Sequence, residues 1–242
     1  MQTIYDAVDW LANPAHWQGP GGVPTRLLEH IVLAGLAVLI ALAISLPIGF
    51  YVGHTGRGGP LAVTLAGIGR AIPSYALLLV FFPIFGFGLL TPVLALVLLS
   101  IPPILANTYI GLREVDRDTV EAGRGMGLRE DQLLFRVELP TALPVIMAGV
   151  RNAAVAAVAT ATLAALIAGG GLGRYIVDGF ALQDQAMLVA GGFLVAVLAI
   201  VTERGFTLVE RRIVSPGVRL AMAGGLQAAP DVQAPSVAAT LP

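Results

Sequence analysis

Few residues in this chain are able to do chemistry, and most of them exclude the chemistry they first suggest. His16, His30 and His54 lie far apart and have none of the close spacings that gather metal ligands, so no metal site is expected. There is no cysteine, which removes thiolate chemistry and disulfides. No nucleophile, base and orienting group fall into a catalytic constellation, and neither a catalytic residue nor a cofactor is expected: the chain reads as a non-enzyme. All 14 basic residues are arginine. Without lysine a phosphate-binding loop of the form G-x-x-x-x-G-K-S/T is excluded, so any ATP that drives this protein is held by another chain. The run Gly169-Gly170-Gly171-Leu172-Gly173 suggests a phosphate cradle. It follows a long apolar run, however, and there glycines more simply end a helix and permit a tight turn. Glu29 and Glu203 stand near the ends of apolar runs and no carboxylate stands in the middle of one. A proton-driven carrier commonly needs such a carboxylate, which disfavours that class, while sodium coupling through backbone carbonyls stays open.

What remains is a segment whose chemistry is mechanical. Glu121 to Pro140, EAGRGMGLREDQLLFRVELP, is polar and charged and sits between two long apolar runs. The pattern predicts a helix over Glu114–Glu121, a break at Gly125-Met126-Gly127 where glycine lets the backbone turn, and a second short helix from Leu128. That second helix mixes Leu128, Leu133, Leu134, Phe135, Val137 and Leu139 with Arg129, Glu130, Asp131 and Arg136, so it is amphipathic and cannot bury all round. Pro140 is expected to end it and Pro144 to restart the chain. A short helix–turn–helix with an apolar face, held at a membrane surface, is a shape that docks into a groove on a partner protein. The plainer alternative is a solvated loop lying on the headgroups.

The elements that must hold this segment are membrane helices. Apolar residues make up 57% of the chain and charged residues 12%, well outside the soluble range. Five apolar runs approach the roughly 20 residues that cross a bilayer, at about 31–52, 61–82, 89–110, 144–168 and 186–202. Backbone polar groups left unsatisfied in lipid are costly, so these runs are helices and the chain is an all-α integral membrane protein. With the Glu121–Pro140 segment inside, Arg57, Arg113, Arg117, Arg124, Arg129, Arg136, Arg204, Arg211, Arg212 and Arg219 are also inside, while Arg26 and Arg174 are outside. That bias sets the N-terminus outside and the C-terminus in the cytoplasm. Arg151 is expected near the inner interface, snorkelling. Residues 1–26 read as an external segment anchored by Trp10 and Trp17, without the pattern of a cleaved signal peptide, and residues 213–242 as a disordered cytoplasmic tail.

The spacing of Glu121, Ala122, Gly123, Gly127, Val137, Leu139 and Pro140 resembles the cytoplasmic EAA loop of permease subunits in binding-protein-dependent ABC importers. Gly123 replaces the second Ala of that pattern and Val137 the usual Ile. The resemblance implies that residues 27–212 form a type I ABC importer transmembrane domain with a methionine-permease-like core. It also implies that 111–143 is its coupling loop, and that Glu121, Ala122, Gly123, Gly127, Leu139 and Pro140 bind the ATPase. The implied partners are a cytoplasmic ATPase subunit in two copies, an extracytoplasmic substrate-binding protein, a second permease copy or paralogue, and membrane lipid, with no nucleic acid. The implied location is the bacterial cytoplasmic membrane.

Three further segments resemble osmoprotectant permeases: Ile72-Pro73-Ser74-Tyr75-Ala76-Leu77-Leu78, the stretch with Pro102, Pro103, Asn107, Thr108 and Tyr109, and AALIAGGGLGRYI after the fourth run. They imply uptake of glycine betaine, choline, carnitine or proline betaine. Pro73 and Ser74 are expected to kink the second span. Ser74, Tyr75, Asn107 and Tyr109 are candidate pathway-lining residues, with interhelical hydrogen bonding as the alternative. Arg70 either contacts a pathway or a neighbouring helix, or lies at the inner surface of a span that starts near Ile72. The competing functions are a methionine- or sulfonate-type permease and a non-transport scaffold that binds a cytoplasmic protein through the same loop.

Overall fold

The computed structural model describes residues 2–215 and 217–218, with Arg70 described by its backbone alone. The expectations for the side chain of Arg70 and for the tail beyond Ser215 therefore fall largely outside the described residues. Every regular element in the described residues is helical. Among the described residues four helices are long and apolar enough to cross a membrane, and a bent pair makes a fifth span if counted as one.

A short helix α1 (Gln2–Ala12) and a 3-10 turn (Pro14–Trp17) lead into α2 (Val23–Thr55). At 1.5 Å per residue the 33 residues of α2 are about 50 Å long, well beyond the roughly 30 Å of hydrocarbon, so its ends project past the lipid. Gly56 ends it in the left-handed conformation, its N–H bonding the carbonyl of Val52. The second expected span is two helices, α3 (Gly59–Ala71) and α4 (Ser74–Phe85), set 88° apart. The expected kink is a full break. Proline lacks an N–H and disfavours helical backbone in the residue before it, and Ile72 (ψ 121°) and Pro73 (ψ 125°) are both extended.

Helix α5 (Leu90–Arg113) carries Pro102 and Pro103 without interruption and is the centre of the fold, packed against α2, α3, α4 and α8. Small residues set these contacts, as they do where lipid supplies no hydrophobic drive for helix association. Gly49 and Gly53 of α2 face Thr108 and Leu112 of α5, whereas Gly149 of α8 faces Pro103 and Asn107 and Gly111 faces Ala142. The paired numbers rise together along α2 and α5, so those helices run parallel. They run in opposition along α5 and α8. Since α2 and α5 are parallel, α3 and α4 together carry the chain back across, which makes the bent pair one span.

Beyond α5 come α6 (Arg117–Gly125) and α7 (Glu130–Leu133), a π-turn (Leu134–Glu138), α8 (Leu139–Thr160) and a 3-10 continuation (Ala161–Ile167). The first of these starts three residues later than the expected Glu114. Pro140 does not end a helix: Glu130–Ile167 is one continuous helical stretch. The wide π-turn gives the physical reason, because it shifts the ladder by one residue just where Pro140 has no N–H to contribute. The last two elements given among the described residues are α9 (Gly173–Leu182), a short helix with no counterpart among the expected runs, and α10 (Gln185–Ile213), which continues well past the expected Thr202.

Candidate functional site

The segment from Val115 to Pro140 is a packed unit joined to the ends of three long helices. Asp116 caps α6 by accepting the N–H of Asp118 at 3.0 Å. The helix ends in a Schellman turn: the Gly127 N–H bonds Arg124 O at 2.9 Å and the Leu128 N–H bonds Gly123 O at 3.2 Å. That turn requires a left-handed residue, and Gly127 supplies it at φ +84°. Space is tight at Gly123, where a Cβ would sit 2.7 Å from Leu133 Cδ2 and Leu133 would have to shift. Here the atom missing from the Ala of the family pattern makes room for Leu133. The Arg129 N–H is held by Gln132 Oε1 at 3.0 Å, which starts α7.

Most of the apolar face turns inward. Leu133 is fully buried and joins Leu112, Val115, Val120, Ala142 and Ile146 in one core, with Leu128, Leu134, Val137 and Leu139 packed against it. The amphipathic residues expected to dock a partner therefore serve mainly to fix the loop to its own helices. The large apolar side chains it leaves outward are Met126, 77% exposed, and Phe135, 58% exposed. Of the expected coupling residues, Glu121, Ala122, Gly127 and Pro140 are exposed, Leu139 is half-buried and Gly123 is buried.

A network of charge ties the loop down. Glu138 is buried, and its Oε2 lies 2.6 Å from Nδ1 of His54 in the last turn of α2. The other ring nitrogen of His54, Nε2, lies 3.1 Å from Oε2 of Glu130. Arg124 then donates two hydrogen bonds to Glu130, at 3.0 and 3.1 Å, and that carboxylate holds the guanidinium above its ordinary pKa. Asp131 does the same for Arg129. These arginine pairs are exposed and contribute little to stability. The His54–Glu138 pair differs, because it is buried and removing one partner leaves the other without its hydrogen bond, at a cost of about 1–3 kcal/mol. The sequence singles out His54 only as one of three histidines without metal-ligand spacing. No short-range pattern marks it, since its partner is 84 residues away.

Elsewhere the expected residues do not converge. Ser74 opens α4 beside a small space lined by Leu78, Pro92 and Thr160, while Tyr75 is exposed. Asn107 donates to Pro103 O at 2.7 Å within α5 and packs on Gly149. Tyr109 packs beside Val52, Ala62 and Leu105. Arg151 reaches across to α10, 3.4 Å from Glu203 and 3.2 Å from Glu210, so it is paired within the protein. The Gly169–Gly173 run is a turn: Gly170 and Gly171 have φ of +77° and +79°. Its amides are already used, with the Gly171 N–H donating to Glu29 at 2.8 Å and the Leu172 N–H to His30 Nδ1 at 3.2 Å. That leaves no free cradle for phosphate. His30 accepts at Nδ1 and, as the Nε2–H tautomer, donates to Val158 O at 2.8 Å.

Residues 45–215 match the family of binding-protein-dependent transport system inner membrane components. The carnitine transport permease protein OpuCD of Listeria monocytogenes serotype 1/2a (strain 10403S) is 40% identical over 214 residues, covering 88% of this chain and 94% of that protein. The choline transport system permease protein OpuBB of Bacillus subtilis (strain 168) is 36% identical over 194 residues, covering 80% and 89%. A solved inward-facing form of the MetNI methionine ABC transporter has a TM-score of 0.70 at 20% identity, covering 80% of this chain and 96% of that one, which fixes the fold. With a matched region that runs from the middle of α2 past the end of α10 and contains the whole packed loop, the chain belongs to the inner-membrane components of binding-protein-dependent transport systems.

Proposed function

We propose that this chain is the membrane permease of an ATP-driven importer for osmoprotectant quaternary amines: glycine betaine, choline, carnitine and proline betaine. The observation that carries the substrate class is a group of relatives 33–40% identical whose names specify carnitine, choline or glycine betaine transport. Methionine- or sulfonate-type uptake has weaker support, since likeness to the methionine transporter at 20% identity is likeness of fold alone.

The division of labour follows from the residues. A chain without lysine has no phosphate-binding loop of its own, so ATP is held by a cytoplasmic ATPase, two copies per complex. That ATPase docks on the loop at Glu121, Ala122, Gly123, Gly127, Leu139 and Pro140, with Met126 and Phe135 as the outward apolar contacts. A separate extracytoplasmic binding protein selects the cation, where aromatic faces can attract a quaternary amine. A second permease copy or a close paralogue completes the path, with Ser74, Tyr75, Asn107 and Tyr109 as candidate lining. ATP-driven closure moves the two loops and switches access from outside to inside. In this reading residues 1–26 are external, 27–212 form the transporter domain with 111–143 as its loop, and 213–242 are a cytoplasmic tail.

The test is uptake of radiolabelled glycine betaine and choline, at low and high osmolarity, in cells with and without this chain. Loss of uptake on deletion supports the assignment and removes a non-transport scaffold. Unchanged uptake of both excludes it.

A further inference from the structure

We infer that His54 is a positioning residue that fastens the coupling loop to the cytoplasmic end of α2, so that motion of the loop is delivered to the first membrane span. This rests on the ATP-driven permease reading and adds a part that the loop pattern does not contain.

The geometry converges on one imidazole. Its Nδ1 meets Glu138 in the π-turn at 2.6 Å, and its Nε2 meets Glu130 in α7 at 3.1 Å. Glu130 is gripped in turn by Arg124 of α6. Thus α2, the π-turn that opens α8, α7 and α6 meet through a single ring. Both ring nitrogens of His54 are thus held against carboxylate oxygens, one from each of two elements of the loop. Arg113, Arg117 and Glu121 face the same cleft of about 160 Å³.

Two observations argue that the contact is mechanical rather than incidental. Glu138 is buried, 5% exposed, at a point where the chain changes helix type, so its carboxylate is set in place and not free to swing. Among the described residues, His54 is also the one residue of α2 that makes a hydrogen bond or ion pair to the segment 114–140. Everything else joining α2 to that segment is apolar packing, which resists separation but allows sliding.

The test uses the complete complex with its ATPase in lipid, comparing wild type with His54→Ala, His54→Gln, Glu138→Gln and the double variant His54→Ala/Glu138→Gln. Hydrogen exchange over residues 128–138 reads the fastening, and quaternary amine taken up per ATP hydrolysed reads its use. The expected result is exchange roughly tenfold faster in His54→Ala, with uptake per ATP reduced several-fold. His54→Gln, which keeps an N–H donor, should recover part of both, and the double variant should be no worse than His54→Ala. Unchanged exchange in His54→Ala overturns the inference, as do unchanged uptake per ATP or losses that multiply in the double variant. A wild-type complex that hydrolyses ATP without moving any quaternary amine defeats the transport reading instead, a result distinct from unchanged exchange.

Discussion

Gly127 and Gly123 show how one backbone atom pattern can be required for two unlike reasons. Nothing lies within 4 Å of a Cβ built on Gly127, so the demand there is conformational, set by φ +84°. Gly127→Val should introduce strain of about 1–3 kcal/mol, leave membrane insertion intact, and lower uptake per ATP several-fold in reconstituted complex. Gly127→Asn should be milder, because asparagine tolerates the left-handed region. Gly123 is the opposite case, limited by space: Gly123→Val should cost about 1–3 kcal/mol by overpacking Leu133, read as a lower melting temperature of the purified permease. The spacing of these glycines was legible in the sequence, since a turn must recur at a fixed offset from its flanking helices. The partner of His54 was not. A pair separated by 84 residues exists only once α2 and α8 have packed, and nothing near His54 in the chain announces it.

The membrane spans were legible as elements because lipid imposes length and composition on every residue of a run. Where local chemistry competes with that rule, the boundaries moved. Pro73 was read as a kink and is a break, since proline's effect on Ile72 adds to its missing N–H. Pro140 was read as a stop and is absorbed by a π-turn, which no composition signals. Helix α9 stayed hidden, being too short for a span and too mixed for a core run. Close helix approach gives a paired prediction. A Cβ on Gly149 would lie 2.8 Å from the Pro103 carbonyl oxygen, so Gly149→Val must push α8 from α5 and should lower the melting temperature of the purified permease by the equivalent of about 1–3 kcal/mol. Gly192→Val, which meets nothing within 4 Å, should leave it nearly unchanged.

At the scale of the whole molecule, parallel α2 and α5 and antiparallel α5 and α8 put the packed loop and the Gly169–Gly173 turn on opposite faces. Because the chain contains no cysteine, single thiols report sidedness cleanly. Met126→Cys should react with a membrane-impermeant maleimide only in inside-out vesicles, and Gln18→Cys only in intact cells or right-side-out vesicles. The fold, the family and the loop were thus legible in the sequence, whereas the way charge locks the loop to the first span was written only in tertiary structure. The most direct test of the central claim, that the Glu121–Pro140 segment passes ATPase work to a path for quaternary amines, is transport by the reconstituted complex. Purified permease, ATPase and binding protein in liposomes should accumulate radiolabelled glycine betaine, choline or carnitine only with ATP on the ATPase side, and Gly127→Val should sever hydrolysis from uptake. ATP-independent accumulation, or full accumulation by Gly127→Val, would contradict it.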